Sequence, residues 1–138
     1  MLTSVLRLRS RSKIVDIKLT LPEIERITWE LLEEHPDVRP TMAEVAAVRG
    51  CSPLQIRRAN ERIQRIVGSM GYCAKFRDVL TYSCITYAQL LIRQGIKISA
   101  AMRIAGFRQR TNFNRQYREF LGELPRESRS RAQNVALD

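Results

Sequence analysis

The hydrophobic residues of this chain recur every three or four positions, which is typical of helices that bury one face. Thr20 and Pro22 provide the start of a first helix, and Pro36 disfavours helix at the residue before it. The pattern therefore predicts a helix that begins at about residue 20 and stops near His35 and Pro36. Its apolar residues are Ile24, Ile27, Trp29, Leu31 and Leu32.

Two further helices are predicted next, separated by a tight turn. Thr41 and Glu44 have the spacing of a capping box, and Gly50 is placed to end the helix that they begin. Ser52 is placed to cap a second helix, which we expect over residues 53–66. The order helix, turn, helix is that of a helix-turn-helix unit.

The longest apolar stretch, residues 76–94, predicts a connecting helix of about 28 Å. A helix of that length would hold two flanking units roughly one DNA turn, about 34 Å, apart. Residues 81–87 also include several side chains that favour strands, so a strand pair, which would make the first unit a winged helix, stays open. Gly95 ends the element in either case.

A second helix-turn-helix pattern follows, with a short helix over residues 98–105 that ends at Gly106. Phe107, Phe113 and Tyr117 are expected on one face of the next helix. In such a unit the second helix enters the major groove of DNA, and Arg, Asn, Gln and Thr suit the edges of bases. The polar side chains of this helix are Arg108, Arg110, Asn112, Asn114, Arg115 and Arg118. After Pro125 the pattern weakens, and we expect a frayed tail.

The charge of the chain indicates a polyanionic partner. Its 138 residues contain 24 Lys and Arg against 14 Asp and Glu, a net charge of +10, which suits nucleic acid or an anionic membrane surface. No apolar run reaches the 18 or so residues that span a bilayer, so we expect a soluble protein. Residues 1–19 are basic, and they could contact phosphates, have no role, or form an organellar transit peptide.

Catalysis and metal binding are not indicated by the side chains present. Cys51, Cys73 and Cys84 are odd in number and widely spaced, and the chain has one His, so neither a disulfide framework nor a zinc site is expected. No Ser-His-Asp, Cys-His or glycine-rich phosphate-binding pattern is visible. We therefore expect no enzymatic activity and no cofactor.

The second helix-turn-helix pattern carries a specific motif of eight residues. Its order is Gly-Phe-x5-Phe-x-Arg-x-Tyr-x4-Gly-x2-Pro-x3-Arg, where x is any residue and the number counts such residues. The motif residues are Gly106, Phe107, Phe113, Arg115, Tyr117, Gly122, Pro125 and Arg129. With these spacings the chain resembles AraC/XylS-type transcription regulators, and in particular the short stand-alone members of the MarA and SoxS type.

The resemblance implies an all-α, homeodomain-like fold of two helix-turn-helix lobes joined by a connecting helix. We accordingly divide the chain into a basic arm (1–19), a first lobe (20–75), a connecting helix (76–95), a second lobe (96–130) and a tail (131–138). It also implies a cytoplasmic, nucleoid-associated bacterial or mobile-element protein that binds double-stranded DNA as a monomer or weak dimer. Such a protein activates transcription together with RNA polymerase.

By position, the resemblance assigns contacts with DNA to residues in both lobes, and Arg108 joins them as part of the polar face. The candidates are Leu54, Gln55, Arg57, Arg58, Arg108, Arg110, Thr111, Asn114 and Arg115. For Arg115, which belongs to the motif, a phosphate contact or a packing role is an equal alternative.

The chain also departs from the family pattern at several positions. Cys84 stands where the family usually has Arg. Ala101 and Met102 stand where the family usually has a larger aliphatic residue followed by Ala, so the small and the large side chain are exchanged. In the first lobe, Asn60 replaces an aromatic residue. A second class of function also stays open. In it the acidic first helix or the Tyr-containing region 72–87 binds another protein, such as RNA polymerase or a regulator that this chain antagonises.

Overall fold

Helices make up all the secondary structure in the part of the chain that the computed structural model describes, residues 21–52, 54–58, 61 and 76–137. In chain order they are α1 (Leu21–Glu34), α2 (Met42–Arg49), α3 (described over residues 54–58 and 61), α4 (Phe76–Arg93), α5 (Ile98–Ile104), α6 (Arg110–Leu121) and α7 (Pro125–Leu137). The predicted all-α fold of two helix-turn-helix lobes joined by a connecting helix is confirmed. The predicted basic arm lies outside the described residues.

The first helix-turn-helix unit is built by local capping. Thr41 Oγ1 accepts a hydrogen bond from the Glu44 amide (3.2 Å), and Glu44 Oε1 accepts one from the Thr41 amide (3.0 Å). Gly50 ends α2 in the left-handed conformation (φ 76°), which glycine adopts without steric cost. Ser52 Oγ then accepts from the Gln55 amide (3.2 Å), so both predicted caps are confirmed.

The connecting helix α4 is the shared wall of two hydrophobic clusters. Val79 and Leu80 pack with α1 and α2 in the first lobe, whereas residues from Cys84 to Ile92 pack with α5 and α6 in the second. The strand alternative is wrong, because the whole of Phe76–Arg93 is α-helical. The Thr81 and Ser83 hydroxyls donate to the carbonyls of Arg77 (2.9 Å) and Val79 (2.8 Å), so these polar side chains are satisfied within the helix.

The prediction of a frayed tail after Pro125 is wrong, because Pro125–Leu137 forms α7. Pro125 occupies the first helical position, and the Glu127 side chain accepts a hydrogen bond from the Leu124 amide at 2.8 Å. Both are ordinary features of a helix start. Ser128 is fully buried, which ties α7 to the rest of the second lobe.

The second helix of the second lobe also begins later than predicted. The helix α6 starts at Arg110, so Phe107 and Arg108 lie in the preceding turn and not on the helix. Phe107 is nevertheless buried, and its ring lies 5.1 Å from that of Phe113. The predicted aromatic cluster therefore forms with one of its members supplied by the turn.

The departures at Cys84, Ala101 and Met102 are accommodated in the core, whereas Asn60 lies outside the described residues. Cys84 and Ala101 are fully buried, and Met102 is nearly so. Ala101 and Met102 belong to the same cluster, so their exchanged sizes are absorbed within one packed region. Burial raises the pKa of the Cys84 thiol to about 11, although the nearby Arg39 guanidinium acts in the opposite direction.

This shift predicts an alkaline loss of stability that depends on Cys84. Because the thiol ionises near pH 9.0 when unfolded but only near 11 when folded, stability is fully present below pH 9 and falls as pH rises towards 11. We expect Cys84→Ala to remove about 2 kcal/mol of this fall by pH 11. Chemical denaturation between pH 8 and pH 11 measures it.

The control is Cys51→Ala, because Cys51 is only partly buried and its pKa is raised to a lesser extent. This substitution should change the slope of stability against pH much less. If the free energy of unfolding changed with pH in the same way for wild type and Cys84→Ala, the prediction would be wrong.

Candidate nucleic-acid interface

The turn between α5 and α6 requires glycine. Gly106 has φ 89°, and the Phe107 amide donates to the Met102 carbonyl at 3.0 Å, which ends α5. A Cβ at position 106 would lie 3.2 Å from the Arg39 Cα, in the loop before α2. Gly106 therefore serves both the backbone conformation of the turn and its close approach to the first lobe.

The helix α6 buries one side and exposes the other. Phe113 and Tyr117, four residues apart, are fully buried, and their rings lie 5.5 Å apart. Their spacing places them on one face of the helix. The opposite face consequently points to solvent and carries the polar residues.

A buried polar network fixes the end of α6 to α7. The Tyr117 hydroxyl donates to Ser128 Oγ at 2.6 Å, and the Ser128 hydroxyl in turn donates to the Glu123 carboxylate. Glu123 is only 7% exposed, and its second oxygen pairs with Arg131 at 2.8 Å. Burial raises the pKa of Tyr117. Sequence reasoning missed this network, because nothing local marks Glu123 or Ser128 as buried.

The predicted DNA-contacting residues of the second lobe lie at the start and on the outer face of α6. Arg110, Thr111 and Arg115 are exposed, and Asn114 is half-buried. Arg108 is exposed in the preceding turn, where its guanidinium donates to the Asp37 carbonyl at 3.4 Å. The first turn of α6 has neither a side-chain cap nor an acidic residue, so its positive dipole end is available to an anion.

Arg115 is held along the surface of α6. Its guanidinium donates to Asn112 Oδ1 at 2.6 Å and lies 3.7 Å from the Glu119 carboxylate. Both contacts stay on the same helix. Their geometry suits a cation that is positioned before any ligand arrives.

Asn114, Arg115 and Arg118 line one open groove of about 610 Å³, together with Glu119 and Leu124. The Asn114 side-chain oxygen is enclosed but accepts no hydrogen bond within the described structure. Arg118 is on the polar side of the helix predicted from the sequence, but it is not among the predicted DNA contacts. It lies three residues after Arg115 and therefore on the same face. The groove thus presents two cations to a ligand, of which Arg115 is paired with Glu119.

In the first lobe, the four predicted residues all fall in the first turns of α3. Leu54 is 40% exposed, and Arg57 and Arg58 are exposed. Gln55 is half-buried, and its side-chain oxygen accepts a hydrogen bond from the Ser52 amide at 2.8 Å. Gln55 therefore supports the helix start, whereas Leu54, Arg57 and Arg58 are presented to solvent.

Charge is distributed unevenly between α6 and α1. The sequence of α6 contains three Arg and one Glu, whereas that of α1 contains five Glu and one Arg. Some of the acids in α1 have partners: Glu23 lies 3.2 Å from Arg49, and Glu30 lies 2.8 Å from Arg26. An anionic ligand would be attracted to α6 and repelled by α1.

The eight motif residues are mainly structural. Phe107, Phe113, Tyr117 and Pro125 are buried, and Gly106 and Gly122 both have positive φ. Arg115 is exposed, and Arg129 is half-buried. The motif thus describes how the second lobe packs and turns more than what its surface contacts.

The fold is shared with known transcription regulators. No family model matches this sequence, and no curated protein matches it. Among solved structures, it is similar to a DNA-binding transcriptional dual regulator from Escherichia coli K-12, with 17% identity over 80% of this chain and 93% of that chain and a TM-score of 0.59. It is also similar to the C-terminal domain of AraT, a response regulator from Geobacillus stearothermophilus. Here the identity is 20% over 78% of this chain and 84% of that chain, and the TM-score is 0.51. At these identities the likeness establishes a common fold.

Other kinds of site are not found in the described part of the chain. No group of His, Cys, Asp or Glu there could hold a metal ion, and no described helix is long and apolar enough to cross a membrane. The candidate site is the exposed surface of α6, with the start of α3 as its counterpart in the first lobe.

We expect Tyr117→Phe to destabilise the protein by about 1–2 kcal/mol, because the buried Ser128 loses the hydrogen bond that the Tyr117 hydroxyl donates. Urea denaturation measures the change. Tyr87→Phe is the matched control, since Tyr87 is also buried and packs its ring on Trp29 at 5.8 Å, a contact that Phe keeps. Equal stability changes for the two variants would show that the hydrogen bond between Tyr117 and Ser128 contributes nothing.

Proposed function

We propose that this protein is a sequence-specific DNA-binding transcription regulator that contacts two adjacent major-groove segments with α3 and α6. The observation that carries the proposal is the arrangement of α6. Phe113 and Tyr117 anchor its inner face, while Arg110, Thr111 and Arg115 stand exposed at its uncapped beginning and along its outer face. A helix held in this way can enter a groove without unfolding its own core.

Affinity and specificity would come from different side chains. Arg and Lys that neutralise phosphates supply binding to any sequence, and the net charge of +10 suits that role. Arg110, Thr111 and Asn114 carry the donors and acceptors that distinguish base edges. Arg115 suits a phosphate contact, because Asn112 and Glu119 already hold its guanidinium along the surface of α6. A phosphate contact needs the positive charge in a fixed place and does not depend on the identity of a base.

In the first lobe, Leu54, Arg57 and Arg58 would make the corresponding contacts. An exposed leucine at a helix start suits the methyl group of thymine, and the two arginines suit guanine or phosphate. Gln55 would act indirectly, since its side-chain oxygen caps α3.

We further propose that the chain is a distant relative of the AraC/XylS-type regulators and acts in a bacterial cytoplasm as a monomeric or weakly dimeric activator that works with RNA polymerase. Two independent observations support the relationship: the eight motif residues at matching spacing, and the fold shared with a transcriptional dual regulator. Expression of a reporter gene placed downstream of a selected site would test the activating role. Repression of that reporter would refute it.

The function itself is tested by selection from random duplex DNA at physiological salt, followed by sequencing of the bound fraction. Two enriched blocks about one helical turn apart are expected if both lobes contact the major groove. One block would restrict sequence reading to one lobe. No enrichment would refute the proposal and favour the protein-interaction alternative.

Arg110→Ala should relax specificity at one base pair of the selected site, with a loss of about 1–3 kcal/mol against the preferred base. Binding to DNA with all four bases at each position of that site measures the effect. Arg26→Ala removes an equal charge from α1, where Arg26 pairs with Glu30, and should leave base preference unchanged. An equal loss on matched and scrambled DNA for Arg110→Ala would assign Arg110 to phosphate binding instead.

A further inference from the structure

The loop between α1 and α2 (residues 35–41, the bridging loop) belongs to the first lobe but lies against the turn of the second helix-turn-helix unit. The Asp37 amide donates to the Ile104 carbonyl at 3.2 Å, at the end of α5. In the opposite direction, the Arg108 guanidinium donates to the Asp37 carbonyl at 3.4 Å. Backbone groups of the bridging loop therefore contact both sides of the turn that precedes α6.

Arg39 adds side-chain contacts to this junction. Its guanidinium carbon lies 4.8 Å from the centre of the Phe107 ring, in the geometry of a cation–π contact. The guanidinium also donates to Thr81 Oγ1 on α4 at 2.5 Å. One side chain thus joins the bridging loop, the connecting helix and the turn before α6.

The backbone at the junction is shaped for close contact. Asp37 has φ 71°, the only positive φ among the described residues other than glycine. Gly106 faces the Arg39 backbone so closely that a Cβ would lie 3.2 Å from the Arg39 Cα. Both features bring two segments of chain together that are about 70 residues apart in sequence.

A single connecting helix leaves the relative rotation of two lobes sensitive to bending. A second connection, offset from the helix axis, opposes that bending because it links the lobes at another point. Leu32 of α1 also packs in the cluster of the second lobe, and the bridging loop adds a further connection beside α6, whose position decides where the second lobe meets DNA.

We propose that Arg39 is a positioning residue that fixes the relative orientation of the two helix-turn-helix units and thereby sets the spacing between the two DNA segments that the protein accepts. The proposal rests on the proposed function for its consequence on DNA, but its structural part concerns the protein alone. Arg39 acts through Phe107 and Thr81 and does not itself contact DNA.

The DNA test compares a two-block site at its selected spacing with sites that carry one base pair more or fewer between the blocks. Each base pair rotates the second block by about 34–36°. Wild type should lose about tenfold or more in affinity at the altered spacings. Arg39→Ala should reduce this penalty to within about threefold, because its lobes can reorient.

Two control variants and a single-block duplex distinguish a positioning role of Arg39 from unfolding of a lobe. Arg103→Ala removes an exposed cation from α5 and should keep the wild-type spacing penalty. Arg39→Lys, which keeps the charge but not the planar guanidinium, should restore part of that penalty. All three variants should bind a single-block duplex as wild type does, since each lobe stays folded.

The test on free protein uses residual dipolar couplings of backbone amides in the two lobes. Couplings from both lobes of the wild type should fit one alignment tensor. In Arg39→Ala, and also in Thr81→Val, the lobes should require two different tensors. If selection finds no DNA site, the proposed function fails while this measurement still decides the role of Arg39.

An Arg39→Ala variant with an unchanged spacing penalty, or with both lobes still fitting one tensor in the wild-type orientation, would overturn the proposal. If Arg39→Ala does not fold, Thr81→Val decides the question. This variant removes the hydroxyl that accepts from Arg39 on α4 and keeps the shape of the side chain.

Discussion

The burial of two aromatic rings on α6 is the constraint on which the rest of the second lobe depends. Each of Phe113 and Tyr117 contributes about 1.5–3 kcal/mol through the apolar area that it removes from water. Because the two residues are four apart, their burial also fixes the rotation of α6 about its own axis. A rotation by one residue, about 100°, would place polar side chains such as Asn114 and Arg118 against the core. The choice of exposed residues thus follows from the choice of buried ones.

Much of the fold could be predicted because its signals are local. Caps at Thr41 and Ser52 and the glycine turn at Gly106 each depend on residues within one helical turn. The helical nature of α4 could not be settled locally, since Thr81 and its neighbours also suit strands, and burial against both lobes decides it. Arg39 could not be predicted at all, because its partner Thr81 lies 42 residues away. Its sequence neighbourhood resembles that of any surface arginine.

Apart from Arg115, which belongs to both, the candidate interface and the recognisable motif occupy different positions, and this separation has a physical basis. The motif is dominated by residues that pack or turn, such as Phe113 and Gly122, where most substitutions would cost stability. Arg110, Thr111 and Asn114, which we propose to contact bases, lie between the motif positions. They can change with little effect on the core. A fold of this kind can therefore keep its architecture while its surface is adapted to different ligands.

The network that joins α6 and α7 has a consequence for any fragment of this protein. Glu123 is buried, its cation is supplied by Arg131, and its hydroxyl donor by Ser128, both on α7. A fragment that ended at Leu124 would leave the Glu123 carboxylate without Arg131 and the Tyr117 hydroxyl without its acceptor Ser128. Both unpaired groups would lie beside α6, the helix that we propose enters DNA. One that ended at Ser130 would keep the hydroxyl pair but lose the cation. The smallest autonomous second lobe therefore extends at least to Arg131, so this part of α7 belongs to the folding unit and is not an appendage to it.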